Sequence, residues 1–185
     1  MSAQSKIPRL ELEQFDSGVA AMLAPRVKRL GYLGEFFKTM GHQPAALKAF
    51  MEFTEALKQA LPPKITEVVA LTVATATGND YERHQHERLS DKLGFGRHWI
   101  EAVIALDDGA ALTGEETAVQ RLVLAMLDSH GHDVRPKLAQ VVETLGPERT
   151  VAVLLLIGRY VAHALIVNAL ELAPPVPSIF AKTEA

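Results

Sequence analysis

Residues Ile65–His86, ITEVVALTVATATGNDYERHQH, decide how the chain is read. The stretch opens as an apolar run broken near its start by one carboxylate, Glu67, and closes in a polar cluster of Asn79, Tyr81, Glu82, His84 and His86. Val68, Val69, Thr72, Val73, Thr75 and Thr77 are β-branched and weak helix formers. No strand punctuation interrupts residues 64–77, so a helix is nonetheless expected there. Gly78 and Asn79 form a joint, and a polar helix over 80–93 stops at Gly94, a residue suited to the position just past a helix end.

On that second helix, steps of about 100° per residue put Asn79, Glu82 and His86 on one stripe and turn Tyr81 away from it. An amide, a carboxylate and an imidazole on one stripe can relay a proton, with Glu82 four residues from His86 to orient or charge it. The plainer alternative is an exposed i, i+4 pair on a solvated face. Glu67 sits in a stripe with Ala70, Leu71 and Ala74 that otherwise reads as core, and a carboxylate drawn into apolar surroundings must pair or take up a proton. Its rival roles are a first-turn acid facing the helix dipole and a capping partner.

Outward from this stretch the remaining chain continues in helices. Residues 1–8 are expected as an extended lead, followed by a helix ending near Pro25 and a short one over 30–40. Pro44 opens a helix that stops before Pro62-Pro63. Trp99, Ile100, Val103, Ile104 and Leu106 mark a short amphipathic helix. Thr113-Gly114-Glu115-Glu116 has the spacing of a capping box and opens another. Pro136 begins a helix closed by Gly146, Pro147 begins the last, and residues 174–185 are expected to be extended. The fold class expected is all-α: one domain over 1–185, about eight helices, with no internal repeat.

In the last helix Arg159 and His163 are four residues apart on the stripe of Ala152, Leu155, Ile166 and Leu170, and need an acid from Glu67, Glu82 or a neighbouring subunit. Arg159, His163, Asn168 and Glu171 also argue for a core helix over a membrane span, since an arginine near mid-span costs roughly 3 kcal/mol on insertion. His84 and His86 form H-x-H, but i and i+2 on a helix point about 200° apart and cannot share an ion. His130 and His132 fall in an expected loop near a helix end. No metal and no cofactor is expected.

Composition bounds the rest. The 185 residues are 48% apolar and 22% charged, the balance of a soluble globular chain. A net charge of −3 without any basic run gives no footprint for nucleic acid. The N-terminus has no apolar core of a signal peptide, so a cytoplasmic location is the default expectation. There is no cysteine, which removes disulfides, thiolate ligands and thiol nucleophiles.

The residues resemble the alkylhydroperoxidase D-like, carboxymuconolactone decarboxylase-like superfamily over roughly 45–175. That family's core is a glutamate in an apolar helix, a loop, then C-x-Y-C-x-x-x-H, a helix-ending glycine and an isoleucine. Here Glu67 matches the glutamate, Asn79-Asp-Tyr81-Glu82 stands in place of C-x-Y-C, His86 matches the histidine, and Gly94 and Ile100 follow. The likeness runs on through Glu115 to Tyr160, His163 and Asn168.

The resemblance implies a helical fold, a homo-oligomer, trimer or hexamer, and a relay of glutamate and histidine serving two thiols. Asn79 and Glu82 cannot form a thiolate, so the thiol peroxidase route is closed. Two readings lead, ahead of a third, a metal-dependent hydrolase using His86 with Glu67 and Glu82. One is cofactor-free acid–base chemistry on a small organic acid or lactone, with His86, Glu82 and Glu67 catalytic and Asn79, Tyr81 and His163 binding substrate. The other is a catalytically silent member acting as an oligomeric binding or assembly protein.

Overall fold

The computed structural model describes residues 7–107 and 111–181. Where the sequence reading expects one domain, the backbone groups into two compact units, Met1–Glu55 and Ala56–Ala185. All regular structure among the described residues is helical.

The first unit holds a 3-10 turn at Leu12–Gln14, α1 (Ser17–Leu30), α2 (Glu35–Met40) and the greater part of α3 (Pro44–Ala60). Asp16 caps α1, its Oδ1 accepting from the Gly18 and Val19 amides at 3.0 and 3.4 Å. The helix does not end near Pro25, as its sequence suggests. It runs on to Leu30 and closes at Gly31. Proline removes one interior hydrogen bond, but Val19 and Leu23 on the preceding turns are buried and anchor the helix. Residues 9–11 lie along α2, whereas residues 1–6 of the expected lead lie outside the described residues: the Leu10 amide donates to the Lys38 carbonyl at 3.0 Å, and Arg9 and Lys38 pair with Glu35 and Glu11 at 3.0 and 2.9 Å. Gly41 is fixed by a close approach, because a Cβ there would meet the Phe15 ring at 2.5 Å.

The second unit is arranged around α4 (Pro63–Ala76), which packs against α5 (Asp80–Lys92), α6 (Arg97–Ile104), α7 (Gly114–Asp128) and α8 (Arg135–Ala169). Every residue of α4 from Ile65 to Ala74 is buried. A helix apolar all round belongs inside a core, and that burial overrides the weak propensity of its β-branched residues. Leu71, Ile100, Leu122, Leu156 and Ile157 are among the most completely buried side chains around it.

Local signals place the surrounding helices. Thr113 and Glu116 form the expected capping box, with the Thr113 amide donating to Glu116 Oε2 at 2.8 Å and the Glu116 amide to Thr113 Oγ1 at 3.3 Å. The same carboxylate accepts Trp99 Nε1–H at 3.2 Å, tying α6 to α7. α8 is two arms joined at Gly146, whose φ of 79° and ψ of 168° break the helix where Gly146-Pro147 announces a stop and a restart. By length and composition α8 could cross a membrane, but half of its most apolar window is buried in the protein's own core.

After α8 the described chain, to residue 181, has no helix or strand and is fastened to the core, while residues 182–185 of the expected extended end lie outside the described residues. Residues 176–179 lie across α5: His84 Nδ1–H donates to the Val176 carbonyl at 3.1 Å and Arg88 Nε–H to the Pro177 carbonyl at 3.0 Å. Ser178 Oγ–H and the Ile179 amide donate to Glu87 Oε2 at 2.5 and 3.1 Å. Glu87 is fully buried, and its other oxygen meets Arg83 at 3.1 Å.

Candidate active site

α4 and α5 diverge from the Gly78-Asn79 joint, so a carboxylate early in α4 faces the second half of α5. Glu67 is 2% exposed, and its Oε2 accepts His86 Nδ1–H at 2.7 Å and Ser90 Oγ–H at 3.2 Å. Neither rival role for Glu67, a dipole partner or a cap, describes it. It is the acid that orients an imidazole.

The other imidazole nitrogen faces a second set of groups. His86 Nε2 lies 3.5 Å from Glu82 Oε2 and 3.3 Å from the Tyr160 hydroxyl. The Tyr160 ring stands edge-on to His86 with centroids 5.3 Å apart. Glu82 Oε2 also meets Arg159 Nη1 and His163 Nδ1, each at 3.6 Å. The partner that Arg159 and His163 require is therefore Glu82, delivered from α5 to the outer arm of α8.

Charge and burial act together here. Burial opposes the charge of His86, but the Glu67 carboxylate and then Glu82 outweigh it and raise the imidazole to about 9. Burial likewise disfavours the Glu82 carboxylate, yet His163, His86 and Arg159 hold it well below the usual range. At neutral pH a value of about 9 favours the imidazolium form of His86, which lies between Glu67 and Glu82. Among the described residues, no group of three or more His, Asp or Glu side chains is arranged to hold a metal ion.

The sequence-derived site residues divide into two sets. Glu67, Glu82 and His86 come together as expected, and His163 joins them through Glu82. Asn79 caps α5, its Oδ1 accepting the Glu82 amide at 3.1 Å, while its Nδ2 is buried without a partner. Tyr81 is buried with its ring 6.4 Å from that of His163. Ser90 escaped the sequence reading although it lies four residues after His86, one turn along the same stripe. Tyr160 entered it only through the family resemblance, because a tyrosine in an apolar helix carries no spacing signal.

Residues 44–125 match the Carboxymuconolactone decarboxylase family. Three solved structures share the fold. One is the alkylhydroperoxidase AhpD core of an uncharacterized peroxidase-related protein from Ralstonia eutropha JMP134, at 15% identity over 90% of each chain, with a TM-score of 0.80. The second is a cysteine-to-alanine variant of the debrominase Bmp8 in complex with 2,3,4-tribromopyrrole, at 16% identity over 94% of this chain and 93% of that one, with a TM-score of 0.75. The third is a protein of unknown function from Agrobacterium tumefaciens, at 18% identity over 75% of this chain and 96% of that one, with a TM-score of 0.66. No curated protein matches the sequence.

Proposed function

Taking residues 44–125 as a Carboxymuconolactone decarboxylase family segment in a chain with no cysteine, we propose that the protein performs cofactor-free acid–base chemistry on a small organic acid or lactone. His86 is the proton donor. The observation that supports this is the buried imidazole held between Glu67, 2.7 Å from Nδ1, and Glu82, 3.5 Å from Nε2. A pKa of about 9 keeps it charged at neutral pH, so it enters the reaction as an acid.

Glu67 fixes the ring and stabilises its charge, in the manner of the acid member of a catalytic triad. Nε2–H is the transferable proton. In a decarboxylation the electron pair of the breaking carbon–carboxylate bond moves into the conjugated system, and Nε2–H protonates the carbanion that results. In a hydrolytic lactone opening, water adds to the carbonyl carbon, the ring C–O bond breaks, the same proton goes to the leaving alkoxide, and the proton of the added water passes to solvent as the carboxylate forms. Asn79 Nδ2 and His163 supply donors for substrate oxygens, and Tyr81 contributes a wall.

One observation favours a second reading. Glu67, His86, Glu82, Arg159 and His163 engage one another closely, and two grooves among the described residues are lined by other side chains, Arg88 to Ala181 in one and Met22 to Glu55 in the other. On this reading the ion cluster is structural and the chain is a silent binding or assembly protein.

Screening lactones and oxo-acids with the wild type and with His86→Ala, alongside an NMR titration of His86, separates the two. The catalytic reading expects turnover that falls on the order of a hundredfold or more in His86→Ala. Absence of turnover across the panel, with His86→Ala altering only the melting midpoint, favours the silent protein.

A further inference from the structure

A groove of about 500 Å³ lies where the end of α5, the start of α6 and the C-terminal strap meet. Its charged lining is Arg88, Asp91, Lys92 and Arg97, and Pro177 and Ile179 form an apolar wall. Three cations against one carboxylate leave an excess of two positive charges, in a chain whose net charge is −3. The volume is that of a small-molecule site and far exceeds a bare oxyanion.

These cations are not spent on the protein's own acids. Arg83, earlier in α5, pairs with Asp80 and Glu87. Among the described residues no carboxylate lies within ion-pair distance of Arg88, Lys92 or Arg97. Arg88 is nonetheless held in place, because its Nε–H donates to the Pro177 carbonyl at 3.0 Å. A guanidinium fixed on one edge loses less freedom when its other donors grip an oxyanion.

Arg97 supplies a second, separate observation. It is the first residue of α6, where the partial positive charge of a helix start disfavours a cation. That first turn contains no acidic residue, and Gly96 at the N-cap has no side chain to meet its amides. Folding gives no reason for a cation and an uncapped helix end at the same point, whereas a bound anion would satisfy both.

We propose that the groove binds a small organic phosphate monoester, with its phosphate on Arg97, Lys92 and Arg88 and its organic part on Pro177 and Ile179. A phosphate monoester carries close to two negative charges at neutral pH, the excess found here, and its oxygens suit the forked donors of arginine. Asp91 holds that excess at two, short of what a polyphosphate would call for. Nucleic acid needs cations that track along a surface, but these surround one hollow. The strap takes part as well, because Ser178 and Ile179 line the groove and also hold Glu87. An occupied groove keeps the strap on α5. The inference holds whether or not His86 turns over a substrate.

Calorimetric titration of the full chain with phenyl phosphate at low ionic strength tests it. Saturable binding is expected, about tenfold tighter than for inorganic phosphate and weakened about tenfold by Arg97→Gln. Hydrogen exchange at residues 176–179 should slow in the complex. Arg97→Gln should melt at the wild-type temperature or above it, since it removes a cation from a helix start. Arg135→Gln removes the cation at the first residue of α8, outside the groove, and should bind as the wild type does. The proposal is overturned by an absence of saturable binding up to about 10 mM, by inorganic phosphate or benzoate binding as tightly as phenyl phosphate, or by Arg135→Gln weakening binding as much as Arg97→Gln.

Discussion

Glu67 and His86 meet across the α4–α5 joint, with Oε2 2.7 Å from Nδ1 although 19 residues separate them in sequence. The contact takes the charged form of both partners out of water and compensates each with the other. Removing one partner of such a buried pair leaves the second uncompensated, at a cost of roughly 3 to 5 kcal/mol. Glu67→Gln should lower stability by that order and move the His86 titration down from about 9. Denaturant unfolding and NMR titration of the His86 ring measure the two effects. An unmoved His86 would mean that Glu67 does not set its charge.

The pH dependence of folding follows from the same pair and from Glu82. His86 has a folded pKa of about 9 against a model value of 6.5, so its contribution is fully present below about 6.5 and is lost as pH rises through 9. Glu82 is depressed, so its contribution is present above its ordinary range near 4.5 and is lost as pH falls through its lower folded value. Stability should therefore peak between about 4.5 and 6.5 and decline on the alkaline side as pH rises to about 9. His86→Gln should flatten the alkaline decline in a series of melts at stepped pH.

Asn79 stands at the start of α5 and supplies its cap. Asn79→Ala should cost about 1 kcal/mol, and Asn79→Asp should recover most of it because aspartate caps equally well. Thermal melts rank the three proteins. If Asn79→Ala were neutral, the Glu82 amide would have to find another acceptor, and hydrogen exchange at Glu82 would reveal it.

Ser178 and Glu87 fasten the C-terminal strap to α5. Ser178→Ala removes a donor to a fully buried carboxylate and should destabilise by about 1 to 3 kcal/mol. Faster hydrogen exchange should be concentrated in residues 84–88 and 176–179. Uniform acceleration across the second unit would show that the strap is not a separate opening unit.

Gly146 adopts a backbone conformation that side chains rarely take, with φ of 79°. Gly146→Ala should destabilise by at least about 1 kcal/mol, through strain and not contact, since no atom lies within 4 Å of the added Cβ.

Much of this was legible before any coordinates, and the reason is local chemistry. Thr113 with Glu116, Pro44, and Gly146 with Pro147 are short-range signals that act within one turn of chain, and each sits where its spacing puts it. The contact of His86 with Glu67 and Glu82 was legible because Glu67 is a charge inside an apolar run and Glu82 and His86 share a stripe. Long-range partners carry no such mark. The strap's grip on Glu87 joins residues 91 apart, and Glu87 reads as one more charge on a polar helix. Pro25 looks like an end, but the buried turn before it carries α1 past that point. Ser90 was legible in principle, one turn beyond His86.

The buried cluster of Glu67, Glu82 and His86 lies in a chain that has no cysteine, and this has a consequence for what can alter it. A thiol centre has an oxidation state, and its readiness depends on a supply of electrons to return it to the start of each cycle. The cluster of Glu67, Glu82 and His86 carries titratable protons and no sulfur. A burst of oxidant finds no thiol to modify here, and the charge of the His86 imidazole follows the acidity of its surroundings.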